Sequence, residues 1–586
     1  MRAVDGAWRE MLADASPKLV APLLLLASAA LAWAYADYGL PPPDEGASLT
    51  AAAKILQGLV YYRDIDAYPF PGTSYLLAFA MGVFGEHLAV ARALAGAGFC
   101  LIVLGTYAAA LAFLDRRRAA LCGLALLSLK FLAFPMYTMF FYGDFALAAC
   151  LVGLAIFLRH DYRGASLRLV ALGVCVGIAI VSKQNAGIYV GGAIVSLLAW
   201  PGLAGFARAR RGDRWAELGA FAVGAAVPVG AMSAYFAYRG LFGPMITSGL
   251  LRPLTSYLPS SGVSFLPPLR WWELGSWHGG PYLPLLYLEL WHAGALPGEA
   301  WQRAYEVAGE VFSRLVYSSL PVAFLGCAWL RLRVLWDPGP ASDTLRERRS
   351  RFFASAGVSF AVTASAFPRA DLYHILPIFP VVLVTLFGLG PGVLTSRNGR
   401  RSRPPTVTAL AVGAVLLLTG TLALRHESLL TDRLILDRAT LRVRPRDVWV
   451  GSVVRYVQQH VPPGAPLFVY GHEAQFYFLT DRYWPWRFSQ LYPGMAGGDE
   501  GGALARLLDE QQPQLVLRGL HGWSGMVPIP SYTAELFARV RRDYVVATDE
   551  LFAEFPSRGP RPPGFVFELL RRSGPPHRLP EHGLND

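Results

Sequence analysis

Residues 19–39 read LVAPLLLLASAALAWAYADYG, with Asp37 the only charge. At 1.5 Å per residue a helix of this length crosses a hydrocarbon core of roughly 30 Å. The stretch is long for a leader and no small-residue cleavage site follows it, so it reads as an anchor and not a signal peptide. It is also not alone. Further apolar runs occupy 93–114, 119–134, 145–158, 167–181, 187–200, 218–238, 315–330, 352–367, 375–389 and 407–424. None carries more than an isolated charge. Over the 586 residues, 54% are hydrophobic and 16% charged, whereas a soluble domain carries roughly 25% charged residues. The fold class expected is therefore mainly α, a polytopic transmembrane bundle of about eleven spans.

The formal charge of +12 does not point to nucleic acid. Only four of the basic residues are lysines (Lys18, Lys54, Lys130 and Lys183), and the arginines gather in short segments between apolar runs. That distribution sets membrane topology and does not build a DNA-binding face. The five cysteines all fall inside apolar runs without CxxC spacing, which argues against a disulfide framework or a zinc site.

Basic segments at 116–118, 159–168, 208–214, 331–351 and 397–403 are expected in the cytoplasm. They alternate with poorly basic segments at 40–92, 135–144, 182–186, 239–314 and 368–374. The alternation is strict if the N-terminus lies inside and 70–84 does not span. That segment gives roughly 22 Å of helix, short of the core, and reads as an interfacial or re-entrant helix of the outer loop 40–92. An ordinary short span is the competing reading. On this topology 1–424 form the membrane domain, and 425–572 lie outside the cytoplasm as a small α/β domain. Its strands are expected at 466–471, 514–518 and 565–570, with helices at 503–511 and 531–542. The Pro-, Gly- and His-rich tail 573–586 reads as disordered.

Ionisable residues then collect on one membrane face. The first outer loop opens Pro41-Pro42-Pro43-Asp44-Glu45-Gly46. A cap for the amphipathic stretch 47–60 is one reading of the acidic pair, a reactive carboxylate another, and the two are compatible. Asp144 opens a span and has the same two readings. Lys183-Gln184-Asn185 interrupts an apolar run, where a lysine can simply snorkel. In Phe367-Pro368-Arg369-Ala370-Asp371-Leu372-Tyr373-His374 the bland account is an Arg369–Asp371 ion pair, but the density of ionisable groups between two spans suggests a site. Lys130, within the third span, is an intramembrane candidate on the same principle. Cations suit a phosphate. Carboxylates suit proton abstraction or a metal.

The order of these features resembles a known family. A first span, Asp44-Glu45, an amphipathic helix, Arg63-Asp64 and Tyr68-Pro69-Phe70-Pro71-Gly72 come first. Phe84-Gly85-Glu86-His87, Arg92 and Asp144 follow. This is similar to the GT-C membrane glycosyltransferases, in particular the protein mannosyltransferase and aminoarabinose transferase type (glycosyltransferase family 39). Lys183-Gln184, the 367–374 segment and the stretch from Val469-Tyr470-Gly471 to Asp481-Arg482 resemble bacterial members. Where the family carries a Pro-Pro step, this chain has Pro69-Phe70-Pro71.

The resemblance implies a monosaccharide transferred by inverting displacement from a polyprenyl-phosphate donor to an extracytoplasmic lipid, glycan or protein, in a bacterial inner membrane. It implies Asp44 as base, Glu45 orienting the acceptor, and Asp144 as a further acidic residue. Lys183, Arg369 and His374 are the expected cations for the donor phosphate, backed by Arg63 and Arg92. Asp64, Asp371 and Gln184 are expected around the acceptor. A Mg²⁺ or Mn²⁺ ion between Asp44 and Asp144 is a further expectation. A transporter or flippase of a lipid-linked glycan is the alternative, with charges lining a path across the bilayer. In the C-terminal domain, His472-Glu473 and Trp484-Pro485-Trp486-Arg487 are candidates for glycan contact, or for core packing.

Overall fold

A computed structural model describes residues 17–160, 166–205, 214–257, 262–274, 280–283, 299–336, 342–390, 406–496, 499, 501–519, 528–556 and 567–573. The expected disordered tail beyond 573 and the basic segments at 208–213 and 397–403 lie outside these residues.

Each apolar run forms a helix. In chain order the helices of the bundle are α1 (Pro17–Ala34), α2 (Pro43–Leu56), α3 (Gly72–Phe84), α4 (Leu88–Ala110), α5 (Arg116–Leu132) and α6 (Tyr142–Phe157). They continue with α7 (Leu167–Ser182), α8 (Gln184–Ala199), α9 (Arg214–Tyr238), α10 (Glu299–Trp336), α11 (Asp343–Ala364), α12 (Phe379–Gly388) and α13 (Thr406–Glu427). Among the described residues, four helices are long and apolar enough to cross a membrane by themselves, those containing 88–110, 214–238, 303–336 and 408–427. Several shorter apolar helices pack around them. Leu325, Trp329, Leu410, Leu417 and Leu418 point outward and are exposed. Apolar faces of this extent fit lipid better than water.

Close helix contacts rest on glycine. A Cβ at Gly173 would lie 2.1 Å from the Phe221 carbonyl oxygen, and one at Gly224 would lie 2.0 Å from that of Val170. α7 and α9 therefore pack backbone to backbone, as small residues allow in membranes. α10 runs for 38 residues, or about 57 Å. The apolar run 315–330 is only its middle. Its first half is polar and carries the buried Glu310–Arg314 pair at 2.6 Å.

The C-terminal α/β domain begins with an antiparallel hairpin of β1 (Asp432–Leu436) and β2 (Ala439–Val443). A four-stranded sheet follows in the order β3-β4-β6-β5. β3 (Phe468–Tyr470) and β4 (Leu515–Gly519) are parallel. β6 (Phe567–Arg572) runs antiparallel to both β4 and β5 (Tyr544–Val546). Helices α14 (Trp449–His460), α15 (Gln475–Thr480), α16 (Gly502–Gln511), α17 (Ala534–Asp543) and α18 (Thr548–Glu554) complete it. β1 and β5 lack a clear apolar alternation, and β2, although Ala439, Leu441 and Val443 alternate inward, is only 5 residues long, so the sequence did not announce them.

This domain does not close a core of its own. Leu49, Ala53, Leu77 and Met81 of α2 and α3 share one buried cluster with Val453, Phe476, Leu479 and Leu517. Both flanks of α3 touch the domain. Before the helix, the Tyr68 hydroxyl donates to the Pro493 carbonyl at 2.8 Å. After it, Arg438 pairs with Glu86 at 3.0 Å, and the Leu88 amide donates to the Arg438 carbonyl at 2.9 Å.

Candidate active site

The site is organised by the N-terminal end of α2. Proline at the first helical position starts the helix where no amide donor is needed. No side chain caps it, so capping does not account for Asp44 or Glu45. One face of α2 docks on the C-terminal domain. A Cβ at Gly46 would sit 2.2 Å from the Gln475 amide nitrogen, so only glycine admits this approach. Four residues on, the Thr50 hydroxyl donates to the Ala474 carbonyl at 3.1 Å. Four residues further, the Lys54 ammonium donates to the carbonyls of Trp484 and Trp486, each at 3.1 Å. This i, i+4, i+8 column fixes the position of Asp44.

Asp44 and Glu45 point to different partners. The Asp44 carboxylate is partly buried. Its Oδ1 accepts from Gln490 Nε2 and from the Tyr492 hydroxyl, each at 3.4 Å. Burial pushes its pKa up; Gln490, His374, Arg369 and Tyr492 pull against that rise. Glu45 is instead closed off with Arg92, side chains 0% and 2% exposed, at 3.0 Å. Glu45 also accepts from the Phe140 amide at 2.9 Å, while Arg92 donates to the Tyr38 carbonyl at 2.6 Å. The pair joins the end of α1 to α2, α4 and the loop before α6. Both side chains are taken up by each other and by backbone groups.

The 367–374 loop supplies Arg369 and His374. Asp371 Oδ2 accepts from Arg369 Nε at 2.7 Å, and Oδ1 contacts His374 Nδ1 at 2.6 Å. Asp371 also caps the turn Leu372–Ile375 through the His374 amide at 3.1 Å. Burial raises its pKa, but His374 and Arg369 outweigh it and hold the carboxyl below its ordinary range. One carboxylate thus aims a guanidinium and an imidazole, and both lie within electrostatic reach of Asp44. The loop is pinned by a bridge to Val263 and by the Tyr317 hydroxyl on the Ala370 carbonyl.

Lys183 sits at the elbow where α7 ends and α8 begins. Its neighbours are tied down. Gln184 Nε2 donates to the Tyr68 and Gly249 carbonyls at 2.8 and 2.6 Å, and its Oε1 accepts from the Phe70 amide at 3.1 Å. Asn185 donates to the Ser365 carbonyl at 2.9 Å. The Lys183 ammonium makes no hydrogen bond or ion pair among the described residues. It lies within electrostatic reach of Asp144 and Asp371. Asp144 does not cap α6: its Oδ2 accepts from the Tyr137 amide at 3.2 Å and its buried Oδ1 has no partner among the described residues. Lys130 is held by the Tyr137 carbonyl at 2.7 Å and shapes that loop.

The structure therefore gathers Asp44, Arg369, Asp371, His374, Lys183 and Asp144 into one electrostatic neighbourhood. Arg63 is not part of it: 58% exposed, it folds back on Asp64 at 2.9 Å. Asp64 accepts from the Val60 amide at 2.8 Å, and Gln184 is saturated by backbone. Gln490, Tyr492 and His472 belong to the neighbourhood but were not singled out with it by sequence reasoning. They stand in loops without periodicity, far along the chain from Asp44.

The expected Mg²⁺ or Mn²⁺ ion lacks a ligand set. Among the described residues no three of His, Cys, Asp and Glu converge. Asp144 has Lys130 and Lys183 beside it, and Asp44 faces Arg369 and His374. The Arg369 guanidinium, which acts electrostatically on Asp44, opposes a divalent ion there. These residues do not fit a protein-held metal, and no step below is routed through one.

No protein-family model and no curated protein matches this chain. Solved structures do. The apo form of the oligosaccharyltransferase of Archaeoglobus fulgidus matches at TM-score 0.51 and 12% identity, over 87% of this chain and 70% of that one. The same oligosaccharyltransferase, tethered with an acceptor peptide containing the NVT sequon, matches at TM-score 0.50 and 12% identity, over 90% and 72%. ArnT of Cupriavidus metallidurans bound to undecaprenyl phosphate matches over 94% and 97% at 16% identity, with TM-score 0.46. At these identities the likeness to the oligosaccharyltransferase is one of fold: a helical membrane bundle carrying a C-terminal α/β domain, the fold of the GT-C membrane glycosyltransferases.

Proposed function

We propose that this protein is an integral membrane glycosyltransferase that moves a monosaccharide from a polyprenyl-phosphate donor to an extracytoplasmic acceptor with inversion. The observation that carries this reading is that Asp371 holds both Arg369 and His374, at 2.7 and 2.6 Å, and that these two act electrostatically on the Asp44 carboxylate. A carboxylate facing a cluster of cations suits a reaction that removes a proton on one side and releases a phosphate on the other.

Asp44 takes the proton of the acceptor hydroxyl, whose oxygen then bonds to the anomeric carbon. The bond from that carbon to the phosphate oxygen breaks, and polyprenyl phosphate leaves with the electron pair. It needs its charge neutralised and no proton donor. Lys183, Arg369 and His374 do this, with Asp371 setting the direction of the latter two. Asp144 orients Lys183. Glu45 and Arg92 fix the backbone from which Asp44 projects.

The basic segments suggest a cytoplasmic N-terminus and a C-terminal domain outside. That orientation is supported by α3, whose flanks both reach the C-terminal domain and whose 13 residues span about 20 Å. Transfer from a radiolabelled polyprenyl-phosphate sugar in membranes tests the reading. Asp44→Asn should abolish transfer while the protein still inserts. Turnover near the wild-type rate in that variant would remove Asp44 as base.

A further inference from the structure

We infer that Gln490 and Tyr492 of the C-terminal domain are positioning residues that aim the Asp44 carboxylate, with His472 as the buttress behind both. The inference rests on the reading of Asp44 as the base.

Both donors act on the same atom. Gln490 Nε2 and the Tyr492 hydroxyl each lie 3.4 Å from Asp44 Oδ1. Asp44 Oδ2 accepts no hydrogen bond among the described residues. Two donors on Oδ1 restrict rotation of the carboxylate and leave Oδ2 as the oxygen open to an acceptor proton. Catalytic hydrogen bonds are often long before the reacting group arrives, so the length alone does not argue against this role.

His472 holds the two donors together. Its carbonyl accepts from Gln490 Nε2 at 3.3 Å. Its ring stacks on Tyr492, with centroids 4.6 Å apart and planes inclined by 23°. The side chain is buried at 1% exposure, and neither ring nitrogen has a hydrogen-bond partner in the described structure. The ring presents a flat face to Tyr492. The intervening residue is fixed as well. The Leu491 amide donates to the Gly471 carbonyl at 3.1 Å, and its carbonyl accepts from the Tyr532 hydroxyl at 2.7 Å. The segment 490–492 is thus clamped to the end of β3. The C-terminal domain therefore completes the base.

The experiment uses purified full-length protein and a radiolabelled polyprenyl-phosphate sugar. Tyr492→Phe keeps the ring against His472 and removes only the hydroxyl. Gln490→Met keeps the volume and removes the donor. The double variant should lose about tenfold in kcat per folded molecule, with donor KM within about twofold of wild type and only a small drop in melting temperature from the lost Gln490–His472 hydrogen bond. A purely structural role would instead lower the melting temperature and the yield of active protein, leaving kcat per folded molecule intact. Wild-type kcat in the double variant overturns the inference, and so does a kcat loss matched by loss of folded protein. Asp44→Asn is run alongside. Full turnover there removes the base and this inference with it. Lost turnover there, with wild-type kcat in the double variant, removes the positioning role alone.

Discussion

Arg92 Nη2 lies 3.0 Å from Glu45 Oε2 in a pair that solvent does not reach. Deleting one partner of a buried pair leaves an uncompensated charge and costs roughly 3–5 kcal/mol. Arg92→Met should therefore lower the melting temperature and the amount of protein recovered from membranes. Glu45→Gln, which can still accept from the Phe140 amide, should be milder. A normal melting temperature in Arg92→Met together with lost transfer would instead place Arg92 in the chemistry.

Lys183 predicts the opposite combination. Its ammonium holds nothing together among the described residues, so Lys183→Met should leave the melting temperature in place. Turnover should fall by about 10²–10³-fold, as when one preorganised charge partner is removed from a leaving group. Gln184→Leu, one residue on, should destabilise the protein because three backbone contacts are lost. Equal kinetics for Lys183→Met and wild type would take the lysine out of the donor site.

The C-terminal domain carries a pH signature at Glu473. Burial pushes its pKa from an ordinary 4.5 up to about 7. The folded state then holds the proton more tightly than the unfolded state. Stability is greatest at low pH and falls as pH rises from 4.5 through 7, by about 3 kcal/mol at roughly 1.4 kcal/mol per unit. His472, pushed down by burial from 6.5 to about 4, acts in the other direction as pH falls. The difference between Glu473→Gln and wild type isolates the glutamate. The variant should be the more stable above pH 7, with the gap closing towards pH 4.5. Parallel melting curves across that range would contradict this.

The orientation of α3 can be tested with Glu86→Cys and an impermeant thiol reagent on intact cells. Glu86 lies against Arg438 of the C-terminal domain and should label from outside. Labelling only after permeabilisation would mean that α3 crosses the membrane.

The bundle was legible because hydrocarbon imposes one rule on every span. Eleven apolar runs became helices, while the polar first half of α10 and the short helix Phe242–Ile246 escaped notice. Asp371 shows the limit of reading ionisable residues one at a time. It is both the partner of Arg369, as the bland reading held, and the group that aims a cation at Asp44. Glu45 shows the converse, since nothing in its neighbours announces Arg92. Gln490 and Tyr492 were invisible for a simple reason. Their importance lies in a contact across more than four hundred residues, and no local pattern encodes such a contact.

The docking of α2 on the C-terminal domain also has a consequence in time. Thr50 and Ala474 are 424 residues apart. At ~5–20 residues per second, the ribosome makes the second partner roughly 20 to 80 s after the first. Throughout that interval the membrane helices can insert and pack, but Asp44 has no Gln490 or Tyr492 beside it and Gly46 faces no Gln475. The nascent chain is a membrane protein well before it is a competent one, and the last strand of the C-terminal sheet is what completes the domain that arms it.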